Sequence, residues 1–456
     1  MAEGKRSGFS GQLGFVLSAA GSAVGLGNLW RFPYLAARGG GGLFLAVYTV
    51  LVMTFGFALL ATDIAVGRCT QCSALRAFGK IKPGWGFLGG MSLAATGLVL
   101  CTYIVIGGWI LKFAAVYLTG GGAVAAREGY FETFRAVGWE PLGWMLLYLA
   151  LTLGIVSLGV EKGVERFSRC VMPGLLALTA VIAGVALGMR HTDAQGVTRT
   201  GLEGLKYYLT PRLDGVTAGG FVRIVLDAMS QLFYSLSVSM GVMVTYGSYV
   251  KKEVNLGRAV GQIELFDTAV ALLAGLMVVP AVYALGGAAG MAQGPGLMFG
   301  VLPQVFSAMG GLGGAVGAAF FILAALAALT SSVSMLEALT AGCTERFGMS
   351  RGRANALTAG LAALGGALVC LDRGALGGRL LDGVDWFATQ LLLPVTSLLT
   401  CVLIGWVAGP QVVVEEMEAG GRTFSRRRLY AVMIRFVAPA VLVMLLLAAL
   451  GAVFIE

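Results

Sequence analysis

Eleven stretches of this chain are each apolar for about the twenty residues that a helix needs to cross the hydrocarbon core of a bilayer. They lie near residues 11–37, 41–67, 86–118, 141–160, 167–189, 219–249, 259–285, 311–343, 355–371, 383–408 and 429–455. In lipid every backbone polar group must find its partner within the protein, and segments this long satisfy that demand as helices. The composition agrees: 57% of 456 residues are hydrophobic, 12% are charged and the mean hydropathy is +0.85, which excludes an ordinary soluble enzyme. The expected fold class is an all-α polytopic membrane protein.

The first segment is not built as an anchor. Residues 21–33 read GSAVGLGNLWRFP, placing Gly21, Gly25, Gly27, Asn28 and Arg31 where a passive span has none of them. Glycine weakens a helix by roughly 1 kcal/mol relative to alanine and tolerates non-helical angles, so this span is expected to break. Carbonyls freed at a break can bind a cation, and freed amides can hold an anionic group. The sixth segment carries a similar interruption at 237–241, SVSMG. Interrupted spans at corresponding places in two halves point to an inverted-repeat secondary transporter with its site near the midplane. The expected organisation is one transmembrane domain over 1–456. Within it, 1–189 form the N-terminal segment and first repeat, 190–218 an extracellular loop and 219–408 the second repeat. A cytoplasmic loop (409–428) and an eleventh helix (429–456) complete it.

The formal charge of +9 does not imply nucleic acid, because the basic residues gather in short loops at alternate helix ends. One side holds twenty of the 32, among them Arg68, Lys162, Lys251, Arg346 and Arg426. The positive-inside rule then places the N-terminus in the cytoplasm and, after eleven crossings, the C-terminus outside a cell (inner or plasma) membrane. No removable signal peptide is expected. Cys69 and Cys72 form a lone CxxC without a second ligand pair, and His191, the single histidine, falls in a loop. Zinc and histidine chemistry therefore have little support. Nothing in the sequence sets an oligomeric state.

The run GSAVGLGNLWRFPYLAARGGGGLF resembles the first-helix signature of the neurotransmitter:sodium symporter family, and further motifs follow in the family's order. These are KGVERFSRCVMP, GLKYYLTP, QLFYSLSVSMGVMVTYGSYV, FGVLPQVF, LTSSVSMLEA and VDWFA. The resemblance spans the chain from about Arg6 to the last helix. It is that of a bacterial, eleven-helix member, and it implies the LeuT-type 5+5 inverted repeat with helices 1 and 6 broken.

The resemblance also implies sites. One sodium ion would sit between helices 1 and 8, on the carbonyls of Gly21, Val24 and Ala327 and the hydroxyls of Thr330 and Ser331. Taken alone, the Thr330-Ser331-Ser332 run reads as hydroxyls bonding back to the preceding helical turn. A second sodium would touch Ala23, Asn28, Ser235, Asp267 and the substrate carboxylate. Asp267 departs from members with asparagine there, and Ala271 stands where some chloride-independent relatives carry an acid. A carboxylate at 267 would supply the charge that chloride otherwise brings, so no chloride is expected. A free amino acid would lie between the broken helices, its carboxylate on the amides of Leu26 and Gly27 and on Tyr103. Its ammonium would lie near the carbonyls of Ala23, Tyr234 and Ser235 and the Ser237 hydroxyl, and Ser22 also belongs to the substrate site. Val99, Tyr234, Ser239, Met240, Ser331 and Met335 would surround the side chain. They offer no acid or base, which favours a neutral aliphatic or aromatic substrate.

Arg31 and Asp385 match the family's outer gate, and Arg6, Phe9 and Glu345 its inner latch; for Arg6 and Glu345 a solvated loop charge is the other reading. Gly163 and Pro173 match a motif at the inner end of helix 5, where proline removes a hydrogen bond and the helix can unwind. Asp63 and Glu337 are further intramembrane acids without a functional assignment, and interior structural pairing is the expected reading. The reading is a sodium-coupled symporter of neutral amino acids, not an enzyme. The alternatives are a proton-coupled or uncoupled transporter of the same fold, with Asp267 or Glu337 as proton carriers, and a non-transporting amino-acid sensor.

Overall fold

The computed structural model describes residues 8–213, 216–292, 296–372 and 379–455. The chain begins with α1 (Gln12–Ala23), which ends where Val24 turns extended at ψ 101° while its N–H still closes on the Ala20 carbonyl at 2.7 Å. Helix resumes as α2 (Gly27–Arg38), bent 55° from α1. The following elements are α3 (Gly42–Thr70), α4 (Ala74–Ile81), α5 (Phe87–Leu118), α6 (Trp139–Ser157) and α7 (Val160–Leu187). The second half holds α9 (Ala218–Leu236), α10 (Val242–Ser248), α11 (Leu256–Met291), α12 (Leu297–Ala308), α13 (Gly310–Phe347), α14 (Arg351–Leu371) and α15 (Leu380–Val407). The last elements are α16 (Gln411–Glu418) and α17 (Arg427–Gly451).

Among the described residues nine helices are long and apolar enough to cross a membrane, and the bent pair α1–α2 makes a tenth. The eleventh expected segment, 219–249, is the pair α9–α10, parted at the residues where the sequence predicts a break. Ser237 (φ 50°), Ser239 (φ 61°) and Gly241 (φ 74°) lie in the left-handed region, which no continuous helix allows.

The segment 190–218, expected as a loop, is partly folded. A hairpin pairs β1 (Arg190–Thr192) with β2 (Thr198–Thr200), Arg190 opposite Thr200. It leads into α8 (Gly201–Leu209), started by a reciprocal cap in which Thr200 accepts the Glu203 N–H and Glu203 accepts the Thr200 N–H. α8 then lies along α11.

The broken pairs pack against unbroken spans, α1 on α11 and α13. α13 packs chiefly on α5, and α10 on α3. The α3–α10 contact is closest at Gly67 and Gly247, where an added Cβ would run into the Val244 and Ile64 carbonyls. Small residues permit this approach, and in lipid such packing, not hydrophobic exclusion, holds helices together.

Candidate ion and substrate site

At the first break three carbonyls converge on one hydroxyl. Ser331, on α13, lies with its Oγ 3.1 Å from the Ser22 carbonyl, 3.5 Å from that of Val24 and 3.4 Å from that of Ala327. Thr330 donates to the Ala327 carbonyl at 2.8 Å. Gly21 faces the same region: a Cβ there would stand 3.4 Å from Thr330 Cβ and 3.4 Å from Ser168 Oγ. The five residues named for the helix 1/8 site are thus brought together. The back-bonding read from the serine-threonine run occurs as well, since the same hydroxyls close on Ala327.

A second polar cluster lies deeper toward α11. Asn28 Nδ2 donates to Asp267 Oδ1 at 2.7 Å, Ser235 Oγ donates to the same oxygen at 2.7 Å, and Asn28 Oδ1 accepts the Gly25 N–H at 3.2 Å. Asp267 is fully buried, and its Oδ2 has no hydrogen-bond partner among the described residues. A buried carboxylate oxygen left this way is costly unless a cation or proton meets it. The residues therefore fit a hard cation with oxygen ligands.

Between these clusters lies a cavity of about 20 Å³, bounded by Leu26, Val99, Tyr103, Ser237, Met240 and Met335. Gly25 leaves room here for two hydroxyls: a Cβ would stand 2.7 Å from Ser331 Oγ and 2.9 Å from the Tyr103 hydroxyl, so one of them would have to shift. Tyr103 accepts the freed N–H of Leu26 at 3.3 Å, and Tyr234 lies over Gly27. Ser239 is not brought into the cavity wall. Its N–H donates to Asp63 Oδ2 at 2.7 Å and its hydroxyl meets Ser397 on α15, because the left-handed angle at 239 turns the residue outward.

The two ends of the bundle differ. At the Arg31 end a cavity of about 600 Å³ opens above Tyr234, lined in part by Trp30, Trp109, Phe131, Asp227 and Asp385. Arg31 and Asp385 both border it without forming an ion pair. Arg31 instead donates to Ser230 Oγ at 2.7 Å and to its carbonyl at 3.3 Å. At the opposite end Phe9 is buried with ring centroids 5.6 Å from Phe15, 5.4 Å from Tyr246 and 6.1 Å from Tyr249. Glu345 accepts the N–H and hydroxyl of Ser73 at 2.8 and 2.7 Å. Arg6, its expected latch partner, lies outside the described residues. Gly163 sits in a π-helical turn over Val160–Glu165 and Pro173 inside the helix that follows, so this end of α7 departs from regular α-helix.

Several residues here were not singled out or given a role by sequence reasoning. Glu337, expected in an interior structural pair but with no partner named, accepts the Tyr249 hydroxyl at 2.9 Å and pairs with Arg351 of α14. Buried Glu165 pairs with Arg169 at 2.9 Å and accepts the Ser10 N–H at 2.9 Å, tying the N-terminal segment to α7. Ser334 meets Ser22 at 2.6 Å. Its signal was present, because residues three and four apart share a helix face and Ser334 lies three after Ser331.

Known proteins share this sequence pattern and fold. A model of the "Sodium:neurotransmitter symporter family" matches residues 6–122 and 131–454. An uncharacterised sodium-dependent transporter of Bacillus subtilis, YhdH, is 33% identical over 99% of both chains. A second such transporter, from Haemophilus influenzae, is 27% identical over 97% of both. The crystal structure of MhsT in complex with L-phenylalanine superposes with a TM-score of 0.85 at 36% identity, covering 97% of this chain and 100% of that one. The chain has the fold of that structure, is a multi-pass membrane transporter that uses sodium and is not an enzyme. It belongs to the sodium:neurotransmitter symporter family.

Proposed function

We propose that this sodium-coupled symporter carries neutral, hydrophobic L-amino acids through two sodium sites and without chloride. The observation that carries the reading is the cavity between the two breaks: its side-chain wall is Val99, Met240 and Met335, and no acid or basic group borders it. A charged substrate side chain would be desolvated there without a partner, whereas methionines adapt to aliphatic and aromatic shapes alike. L-Phenylalanine is the ligand of the MhsT crystal structure, which supports the same class here. At about 20 Å³ the cavity has room for about one water, so Met240, Met335 or the helix ends must move apart to admit a side chain.

The substrate carboxylate lies toward the Leu26 and Gly27 amides and Tyr103, beside a sodium held by Ala23, Asn28, Ser235 and Asp267. The other sodium lies on Gly21, Val24, Ala327, Thr330 and Ser331. The Phe9 end is cytoplasmic and the C-terminus extracellular, with residues 1–189 and 219–408 as the two repeats. Entry runs from the Arg31 end over Tyr103 and Tyr234. Unwinding of α7 between Gly163 and Pro173, with withdrawal of Phe9, then lets water reach the helix 1/8 site from the cytoplasm.

Uptake into proteoliposomes of a panel of labelled amino acids tests the proposal, with sodium or potassium outside and with chloride or gluconate. Saturable, sodium-dependent, chloride-indifferent uptake confined to apolar amino acids is expected. Uptake of a charged amino acid, or a chloride requirement, refutes the corresponding half. Uptake driven by a pH gradient and indifferent to sodium refutes the ion sites.

A further inference from the structure

Three serines close a ring of hydrogen bonds beside the cavity, and a fourth joins the ring to the cavity wall. Ser331 Oγ donates to the Ser22 carbonyl at 3.1 Å, and Ser334 Oγ donates to the Ser331 carbonyl at 2.7 Å. Ser22 and Ser334 meet Oγ to Oγ at 2.6 Å, a contact either hydroxyl can donate, which closes the ring between α1 and α13, and Ser22 Oγ also lies 3.4 Å from Ser237 Oγ. Ser237, at the second break and on the cavity wall, donates to the same Ser22 carbonyl at 3.1 Å. All four serines are buried.

This arrangement joins two occupancies, on the reading of the sites given above. A hydroxyl that turns a lone pair toward a cation must point its proton elsewhere. Of the three carbonyls near Ser331, those of Val24 and Ala327 are proposed sodium ligands, and only that of Ser22 remains as an acceptor. Sodium at the helix 1/8 site therefore turns the Ser331 proton away from the Val24 and Ala327 carbonyls and favours the Ser22 carbonyl, which strengthens the ring. The same carbonyl orients the Ser237 hydroxyl, whose oxygen meets the Ser22 hydroxyl at 3.4 Å and borders the cavity where the substrate ammonium is proposed.

We infer that Ser334 is a positioning residue that couples the helix 1/8 sodium to substrate affinity by fixing Ser22 against α13. It is absent from the cavity wall and from the proposed ion ligands, so it acts through Ser22.

The test measures binding of labelled L-phenylalanine to purified protein in sodium-poor and sodium-rich buffer, with the sodium-induced shift in Tm recorded alongside. In Ser334→Ala the stimulation of affinity by sodium falls about three- to ten-fold, the worth of one neutral hydrogen bond, while the Tm shift persists because the ion ligands remain. Ser22→Ala breaks the same bond from its other side, and the double variant is no worse than the Ser22 single. Stimulation unchanged in Ser334→Ala overturns the inference, as do additive effects in the double variant. Should Ser334→Ala fail to fold, unchanged stimulation in Ser22→Ala overturns it equally. Wild-type protein without sodium-stimulated binding overturns the functional reading and this coupling with it, an outcome separable from a coupling lost only in the variants.

Discussion

Replacing Asp267 by asparagine isolates charge from shape. Asparagine fills the same volume, and its amide oxygen can keep both bonds now accepted by Oδ1, from Asn28 at 2.7 Å and Ser235 at 2.7 Å. What disappears is the negative charge, and with it the oxygen that has no partner among the described residues. Two unit charges about 4 Å apart attract by about 4 kcal/mol at an effective dielectric constant near 20. Part of that is already spent on desolvating the carboxylate, so a net loss of about 1.5–3 kcal/mol in sodium affinity is expected, or roughly ten- to a hundred-fold. Substrate binding titrated with sodium in chloride-free gluconate reads this directly, because the half-saturating sodium concentration rises by that factor. Adding chloride recovers part of the loss, since an anion then replaces the missing charge. A half-saturating concentration unchanged in Asp267→Asn would refute the reasoning, for it would mean that the carboxylate carries no charge near the ion.

Gly25→Ala puts a methyl group 2.7 Å from Ser331 Oγ and 2.9 Å from the Tyr103 hydroxyl. Overpacking of this kind costs about 1–3 kcal/mol and should weaken substrate binding at least five-fold, with Tm little changed if the first break absorbs the shift. Phe9→Ala removes a buried ring touching three aromatic neighbours, so about 3 kcal/mol of the closed Phe9 end is lost. A cysteine placed beside Tyr249 should then react faster with a membrane-impermeant thiol reagent from that end. Arg351→Met leaves buried Glu337, among the described residues, with the Tyr249 hydroxyl alone and should lower Tm by a few degrees, and adding Glu337→Gln should recover most of it. Thr330→Ala should abolish the sodium-induced Tm shift of one site and leave the Asp267 site titrating.

Much of the architecture is written in hydropathy because lipid leaves the backbone few options, and the two breaks are legible for the same reason. Glycines at 25 and 241 and the serines between 237 and 239 would be poor helix formers with no purpose in an anchor. The hairpin at 190–200 was not legible: its strands are three residues each, held by Asp193 and Arg199, too short for any periodicity. The residues named by resemblance at the first break converge, because a motif carries its geometry with it. Ser239 did not follow, since the sign of φ at 239 decides whether the side chain faces the cavity or α15, and the letter serine does not encode that sign. Partners across long separations were equally hidden. Arg68, fully buried, is bonded to Glu416 of α16 at 2.5 Å and to the Val254 carbonyl at 2.7 Å, a pairing over hundreds of residues that no local pattern announces.

The unequal state of the two ends bears on where the energy of closure comes from. Closing the Arg31 end by pairing Arg31 with Asp385 would exchange bonds, not add one to a free group. The guanidinium already donates twice to Ser230, and Gln390 donates to the same Ser230 hydroxyl at 3.1 Å. The net gain is an ion pair less two hydrogen bonds, in a cavity wide enough to remain wet, where such pairs contribute about 1 kcal/mol or less. The Phe9 end, by contrast, is shut by a buried ring and by Glu337, whose pairing is buried on one side. Opening it costs several kcal/mol, so the gate charges cannot drive the exchange of open ends. On the function proposed above, the driving contacts are those that form only with ions and substrate present, at the Leu26 amide, Tyr103, Asp267 and Ser331. On the proposed sites, the gate pair selects which end closes and the coupling of transport to sodium resides at the two breaks.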